Sequence, residues 1–360
     1  MKITLERKTK KSKVMVILNP ILFTLLALAA CGIILGIMGF NPLEVYTKMI
    51  SKAFFSTRGL RKSITAGLPL MLCGLGVAIG YKMNLNNIGA EGQYAVGALC
   101  GGAWALFGPQ LPGFLGILVM FFICFAGGAL WAFVCALLKA YWNVNEIITT
   151  LMLNYIALIL MDFFCLGPWK EPKQNVGQTS KIPENLRLPN IPGTSISLGF
   201  LIALLMAVLL YLFFKYTTTG YQVTVIKNSM TAARYAGMNI KKCILTVLTI
   251  SGGLAGLAGF VQVSGVVGRV QAGMPNNAGY TAIVIAYLAN FNPIAVIIVS
   301  ILFGGLQNSS ATVQVMGVPS DIATMMQGAI MLFVIAGSFF HKYKLLFQKK
   351  STSLKGGETA

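Results

Sequence analysis

The chain has 360 residues, 56% hydrophobic and 10% charged, against about 25% charged in a soluble domain, so a water-exposed surface cannot be built from this composition. Its 28 Lys and Arg against 9 Asp and Glu give a net charge of +19, which in a soluble protein would point to nucleic acid. In a chain this apolar the charge points to basic residues at the ends of membrane spans, and no nucleic-acid partner is expected. A single histidine, His341, and seven cysteines without a Cys-x-x-Cys pair supply neither a metal site nor a Ser-His-Asp triad. The cysteines read as small buried apolar residues.

Crossing a bilayer takes about 20 apolar residues. Ten apolar runs qualify as candidates, near 15–38, 64–81, 93–107, 113–138, 147–166, 197–214, 243–264, 279–291, 293–311 and 323–340. The runs 93–107 and 279–291 are too short to cross alone and predict broken helices. The fold expected is an all-α integral membrane protein with two inverted five-helix repeats. The segments are a basic tail at 1–14, a first half at 15–166, an external loop at 167–196, a second half at 197–340 and a basic tail at 341–360. The second half includes a basic loop at 215–242.

Three segments, 1–13, 215–242 and 341–360, hold 14 of the 19 net positive charges, and a ten-span count puts all three on one side. By the positive-inside rule that side is the cytoplasm, with both termini inside. The segment 41–63 carries Lys48, Lys52, Arg58, Arg61 and Lys62 yet falls outside by the same count. Its apolar residues Leu43, Met49, Ile50, Phe54 and Phe55 are interleaved with those charges, as in an amphipathic element lying on the membrane interface. The loop 167–196 holds Pro168, Pro172, Pro183, Pro189 and Pro192, which predicts a compact, helix-free connection, and its length leaves two readings, a docking surface for a partner or a connection only. No P-loop occurs anywhere in the chain.

One arrangement recurs, a Gly-rich apolar helix, a polar break and another apolar helix. The breaks contain Asn86-Asn87-Ile88-Gly89 and Asn276-Asn277-Ala278-Gly279, 190 residues apart. In the ten-span count one lies at the inner end of its helix and the other at the outer end, as an inverted repeat requires. Backbone groups freed at such breaks must face protein or a cavity, because lipid cannot satisfy them.

Polar residues within the apolar runs have two readings, a solute path or interhelical hydrogen bonds that fix the fold. Asn87, Glu91, Gln93, Asn154, Asn277, Gln307 and Asn308 are the candidates for the path. Glu146 sits where an acid at a helix N-terminus is favoured by the helix dipole. Glycines four apart, Gly32/Gly36, Gly76/Gly80, Gly97/Gly101 and Gly252/Gly256, read as close helix packing. In the basic loop, Thr231 through Tyr235 predicts a short helix stopped by Gly237, and its small residues Ala232 and Ala233 suit insertion into a groove on another protein.

Three stretches carry a resemblance. They are Asn84-Leu-Asn-Asn-Ile-Gly-Ala-Glu-Gly-Gln93, Val144-Asn-Glu-Ile-Ile-Thr-Thr-Leu-Met-Leu-Asn-Tyr155, and Ala232-Ala-Arg-Tyr-Ala-Gly237 followed by Ser251-Gly-Gly-Leu-Ala-Gly-Leu-Ala-Gly259. From about residue 15 to 340 the chain resembles permease subunits of ABC importers in the branched-chain amino acid, ribose and simple-sugar group. The likeness is strongest to the nucleoside branch served by basic membrane lipoproteins. It implies a multi-pass protein of a bacterial cytoplasmic membrane, paired with a second permease subunit as a heterodimer. It also implies a cytoplasmic ATPase with tandem nucleotide-binding domains, which would hold ATP and Mg, and an external substrate-binding lipoprotein. No cofactor or metal is expected in this chain, and it is not an enzyme. The resemblance makes 227–240 the coupling segment, with Lys227, Thr231, Ala232, Ala233, Arg234, Tyr235 and Gly237 facing the ATPase. It puts Glu91 and Gln93 at the first polar break. The solute expected is a nucleoside, with a simple sugar (ribose or galactose) as the alternative. An ion-driven secondary transporter using Glu91 and Asp162, and a membrane enzyme, are the competing classes.

Overall fold

The computed structural model describes residues 2–7, 13–109, 111–172, 174–314, 317–319 and 321–348. Residues 8–12 and 349–360 of the two basic tails lie outside them. The chain packs as two units, Met1–Pro42 with Met325–Ala360, and Leu43–Thr324.

In the first unit, β1 (Lys2–Arg7) pairs antiparallel with β2 (Tyr343–Gln348), Lys2 opposite Gln348 and Arg7 opposite Tyr343. This ribbon qualifies the all-α expectation, and the alternating Ile3, Leu5 and Leu345, Phe347 give it a strand period of two. The unit also holds α1 (Lys13–Ile37) and most of α13 (Asp321–Lys342). Gly337 of α13 meets the ring of Phe23 on α1, where a Cβ would lie 2.6 Å from a ring carbon.

The second unit is helical. Its apolar helices are α3 (Thr57–Tyr81), α4 (Ala90–Phe107), α5 (Gly113–Trp142), α6 (Glu146–Leu166), α7 (Gly199–Tyr216), α10 (Ile240–Phe260), α11 (Ala278–Leu288) and α12 (Pro293–Gln314). Three further helices are α2 (Pro42–Phe54), α8 (Thr218–Asn228) and α9 (Met230–Tyr235). Each of the ten apolar runs carries a helix. Among the described residues, five helices are long and apolar enough to cross a membrane, and these are α3, α5, α6, α7 and α10 with its continuation to Val267.

The core is α3 and α10 side by side. α10 packs on α5 and α4, and α3 packs on α12 and α11. Glycine permits both approaches. A Cβ at Gly76 of α3 would lie 2.6 Å from the Ser251 carbonyl oxygen of α10, and Gly97 of α4 sits against the backbone of Gly256. A Cβ at Gly67 of α3 would lie 2.8 Å from the Ser300 carbonyl oxygen of α12. Among the described residues nothing approaches within 4 Å of the would-be Cβ of Gly36, unlike those of Gly76, Gly97 and Gly256.

The segment 41–63 is a helix, a turn and the start of α3. Val45, Met49 and Ala53 of α2 are buried, while Leu43, Ile50 and Phe55 are exposed. Ser56 caps α3 by accepting the Gly59 N–H at 3.4 Å. Glu146 opens α6 and also pairs with Lys139 at 2.9 Å, with Asn145 as the cap. The loop 167–196 is not fully helix-free, because Pro183 (φ −53°) starts a single 3-10 turn at Glu184–Leu186. The loop is stitched to the end of α10 by backbone bonds from Thr179 to Val270, Ile182 to Gly268 and Leu188 to Ser264.

Candidate functional site

The two polar breaks, distant in sequence, meet in space. α3 stops at Tyr81, and the chain turns back through Asn84, whose φ of +57° is the left-handed conformation that Asn tolerates. Asn87 then folds inward. Its Oδ1 accepts the Gly89 N–H at 2.9 Å, and its Nδ2 donates to Gln93 Oε1 and to Ser251 Oγ, both at 2.8 Å. Gln93 Nε2 returns a bond to Asn87 Oδ1 at 3.0 Å, and Ser251 Oγ donates to the Gly76 carbonyl at 2.6 Å. Asn154 of α6 closes the other side. Its Oδ1 accepts the Gly92 N–H at 2.8 Å, and its Nδ2 donates to the Ile88 carbonyl at 2.8 Å and to Tyr280 Oη at 3.3 Å.

From the second break comes α11. Consecutive left-handed residues, Asn276 at φ +45° and Asn277 at φ +62°, turn the chain into the helix. Glu91, in the first turn of α4, accepts the Asn277 N–H on Oε1 at 2.7 Å and the Gly279 N–H on Oε2 at 2.5 Å. The N-termini of α4 and α11 therefore face each other across one carboxylate. Each helix N-terminus carries partial positive charge and unsatisfied N–H groups, and the buried Glu91 carboxyl group accepts two of those at the start of α11. Gly279 lies directly against the Ala90-Glu91 backbone, where any side chain would collide.

Asn87, Glu91, Gln93 and Asn154 are thus brought together in one hydrogen-bonded joint, none more than 2% exposed. Asn277 joins them through its backbone. Gln307 and Asn308 lie elsewhere, in the wall of a cavity of about 480 Å³. Asn276 and Ala278 of the second break, and Tyr94 next to Gln93 in α4, form part of the same wall, so the two sets of residues adjoin.

Irregular backbone borders this cavity on two sides. On α3 it is lined by Thr65 and Pro69, and proline has no N–H to offer the carbonyl four residues back, that of Thr65. On α10 the helix widens into π turns at Val261–Val267, two of whose residues, Gln262 and Val266, line the cavity. Such wide turns concentrate at functional sites. Among the described residues, the side-chain amides of Gln262, Asn276 and Gln307 make no hydrogen bond, whereas Asn308 donates to the Gly59 carbonyl and to Ser63 Oγ, both at 3.3 Å. Free amides offer donors and acceptors to whatever enters.

Sequence reasoning did not assign Gln262 to the path. It missed Arg61, Lys62, Tyr94 and Asn276 as cavity residues. For Asn276 the signal was present, since it adjoins Asn277 in the repeated motif. For Arg61 and Lys62 there was none, because their position follows from how α3 leans on α12.

At the far end of α11, Phe291 stacks on Tyr81 at 3.8 Å between ring centroids, and Tyr287 meets both rings edge-on. Lys227 Nζ lies 5.7 Å over the Tyr81 ring, and Asn84 Nδ2 donates to the Lys227 carbonyl at 3.3 Å. Past Lys227 comes α9, capped by Ser229 Oγ on the Ala232 N–H at 3.2 Å and ended by Gly237 at φ +68°. Ala233 faces inward and is buried, while Thr231, Ala232, Arg234, Tyr235 and Gly237 are exposed. Among the described residues no group of His, Cys, Asp and Glu is placed to hold a metal ion.

The sequence model of a family described as "Branched-chain amino acid transport system / permease component" matches residues 59–335. A glucose ABC transporter permease protein of Haloferax volcanii is 32% identical over 91% of this chain and 89% of its own length. A guanosine ABC transporter permease protein of Bacillus subtilis is 29% identical over 88% and 92%, respectively. A nucleoside ABC transporter permease protein of Lactococcus lactis is 28% identical over 98% and 99%.

Proposed function

Because the chain belongs to the branched-chain amino acid transport permease family, we propose that it is the membrane-spanning subunit of an ATP-binding cassette importer that conducts nucleosides. The observation that carries the reading is the cavity, whose unpaired amides sit between a proline-interrupted helix and a π-widened one. Hydrocarbon cannot satisfy such groups, so they belong on a polar path. Gln307, Asn308 and Asn277 stand on or beside that path, and Asn87, Glu91, Gln93 and Asn154 hold its wall in shape. The chain itself hydrolyses nothing; ATP and Mg belong to an ATPase partner.

Two features support an inverted repeat of ten spans. Packing is reciprocal: if α3 corresponds to α10, α4 to α11 and α5 to α12, then the α10–α5 contact mirrors α3–α12, and α10–α4 mirrors α3–α11. The head-to-head meeting of α4 and α11 falls where a two-fold axis between the halves would pass. The exposed face of α9 suits a groove on the cytoplasmic ATPase with tandem nucleotide-binding domains. From there, movement would reach α3 and α11 through Lys227, Asn84 and the Tyr81 ring cluster. An external lipoprotein would deliver the solute, and a sister permease would complete the path as a heterodimer in the cytoplasmic membrane, with both termini inside.

Nucleosides are favoured by an alignment that spans almost the whole of a nucleoside permease. The glucose permease relative favours a sugar as the second reading. Proteoliposomes holding this chain, its sister permease, the ATPase and the lipoprotein separate them. Labelled nucleoside is expected to enter only with ATP inside the ATPase compartment and to be unaffected by excess glucose. Uptake without ATP, or collapse of uptake under an ionophore while ATP stays high, would overturn the importer reading.

A further inference from the structure

We propose that the cavity is a charge filter, admitting neutral and anionic polar solutes and turning cations away, with Arg61 and Lys62 setting its sign. The inference rests on the reading that this cavity lies on the solute path.

Arg61 and Lys62 both line the cavity, one turn of α3 above Thr65. No Asp or Glu lines it among the described residues. Nor does a carboxylate pair with either cation: the described salt bridges join Lys48 to Glu44, Lys139 to Glu146 and Arg269 to Glu171. Arg61 instead reaches a neutral partner, the Gly193 carbonyl in the external loop, at 3.5 Å, which leaves its charge uncompensated. Glu91, in the joint behind the wall, is 2% exposed, and both of its oxygens are engaged by the Asn277 and Gly279 N–H groups, so it does not face the cavity.

Charges of one sign at the mouth of a cleft with low-dielectric walls focus the field and change the local concentration of ions by tenfold or more. Rings of Arg and Lys select anions over cations in pores on the same principle. The rest of the lining is suited to what the filter passes. Gln262, Asn276 and Gln307 present unpaired amides with both donors and acceptors, able to hold hydroxyls, carbonyls and ring nitrogens, and none is an anion that would compensate a bound ammonium. The class of solute is thus polar, of roughly nucleoside size and without positive charge. Lys62 is exposed to solvent, so salt should weaken the selection, since the screening length falls from about 10 Å at 0.1 M to about 3 Å at 1 M.

The test places a thiol in the cavity. Gln307→Cys is introduced into the full chain in native membranes, with the unsubstituted chain giving the background of its own cysteines. The thiol is reacted with a sulfonate-bearing and with a trimethylammonium-bearing methanethiosulfonate of similar size, each rate divided by that reagent's rate with a small free thiol. The expected ratio of anionic to cationic reagent is about ten at low salt, falling toward one near 1 M. Adding Arg61→Gln and Lys62→Gln brings the low-salt ratio to one, and adding Arg61→Glu and Lys62→Glu takes it below one. A low-salt ratio of one in the single variant, or a ratio unmoved by the glutamines with the unfolding midpoint unchanged, overturns the filter and leaves the path intact. A thiol that neither reagent reaches overturns the path itself.

Discussion

The carboxylate of Glu91 is the residue on which the joint turns, because two backbone N–H groups from another part of the chain end on its two oxygens. Glu91→Ala leaves the Gly279 N–H buried without an acceptor, a loss of about 1–3 kcal/mol for that group alone. A lower unfolding midpoint in detergent is expected, with Glu91→Gln falling between the two because one amide oxygen remains. An alanine variant as stable as the parent would mean that the joint does not hold α11. That polar residues gathered near 87–93 and 154 was legible in the sequence, since amides and an acid stand out in apolar runs. Their pairing was not. Glu91 and Gly279 are 188 positions apart, and no local pattern reports which N–H a carboxylate will find.

At the scale of elements, the four-residue glycine spacing pointed to close packing, and the structure separates Gly76, Gly97 and Gly256, which use it, from Gly36, which among the described residues does not. Gly97 touches Gly256, so Gly97→Leu should push α4 off α10 and abolish a folded, monodisperse peak on size exclusion in detergent. Gly36→Ala, with open space around it, should leave that peak unchanged, and should raise stability slightly by favouring the helix by up to about 1 kcal/mol. Equal behaviour of the two would discount the packing argument. The positions of the ten apolar helices and the α9 turn with its Gly237 stop were legible because hydrophobic length and a left-handed glycine are local signals. α8 was read as loop, since its Thr-rich start has little helix propensity and its cap at Thr217 shows only once the chain turns there. The π turns after Phe260 were not read from the sequence, because a wide turn depends on what packs around it.

For the whole molecule, sidedness is the property to test, and exposed positions on the two loops of interest allow it. Phe55 is 85% exposed and, unlike Ser56, its replacement spares the α3 cap; Tyr235 is 89% exposed on α9. In intact cells an impermeant thiol reagent should label Phe55→Cys and should label Tyr235→Cys only after permeabilisation. The reverse pattern would invert the topology, and labelling of both from outside would break it. The strand pair β1–β2 bears on the same question by a different route. Lys2 and Gln348 stand opposite each other, so if the helices between them cross a bilayer, they have to do so an even number of times. Among the described residues five helices are long and apolar enough to cross, an odd number, so a bilayer crossed by all five would need at least one further apolar helix to cross with them. Parity, fixed by six backbone pairings at the chain's two ends, thus constrains the path of everything between them.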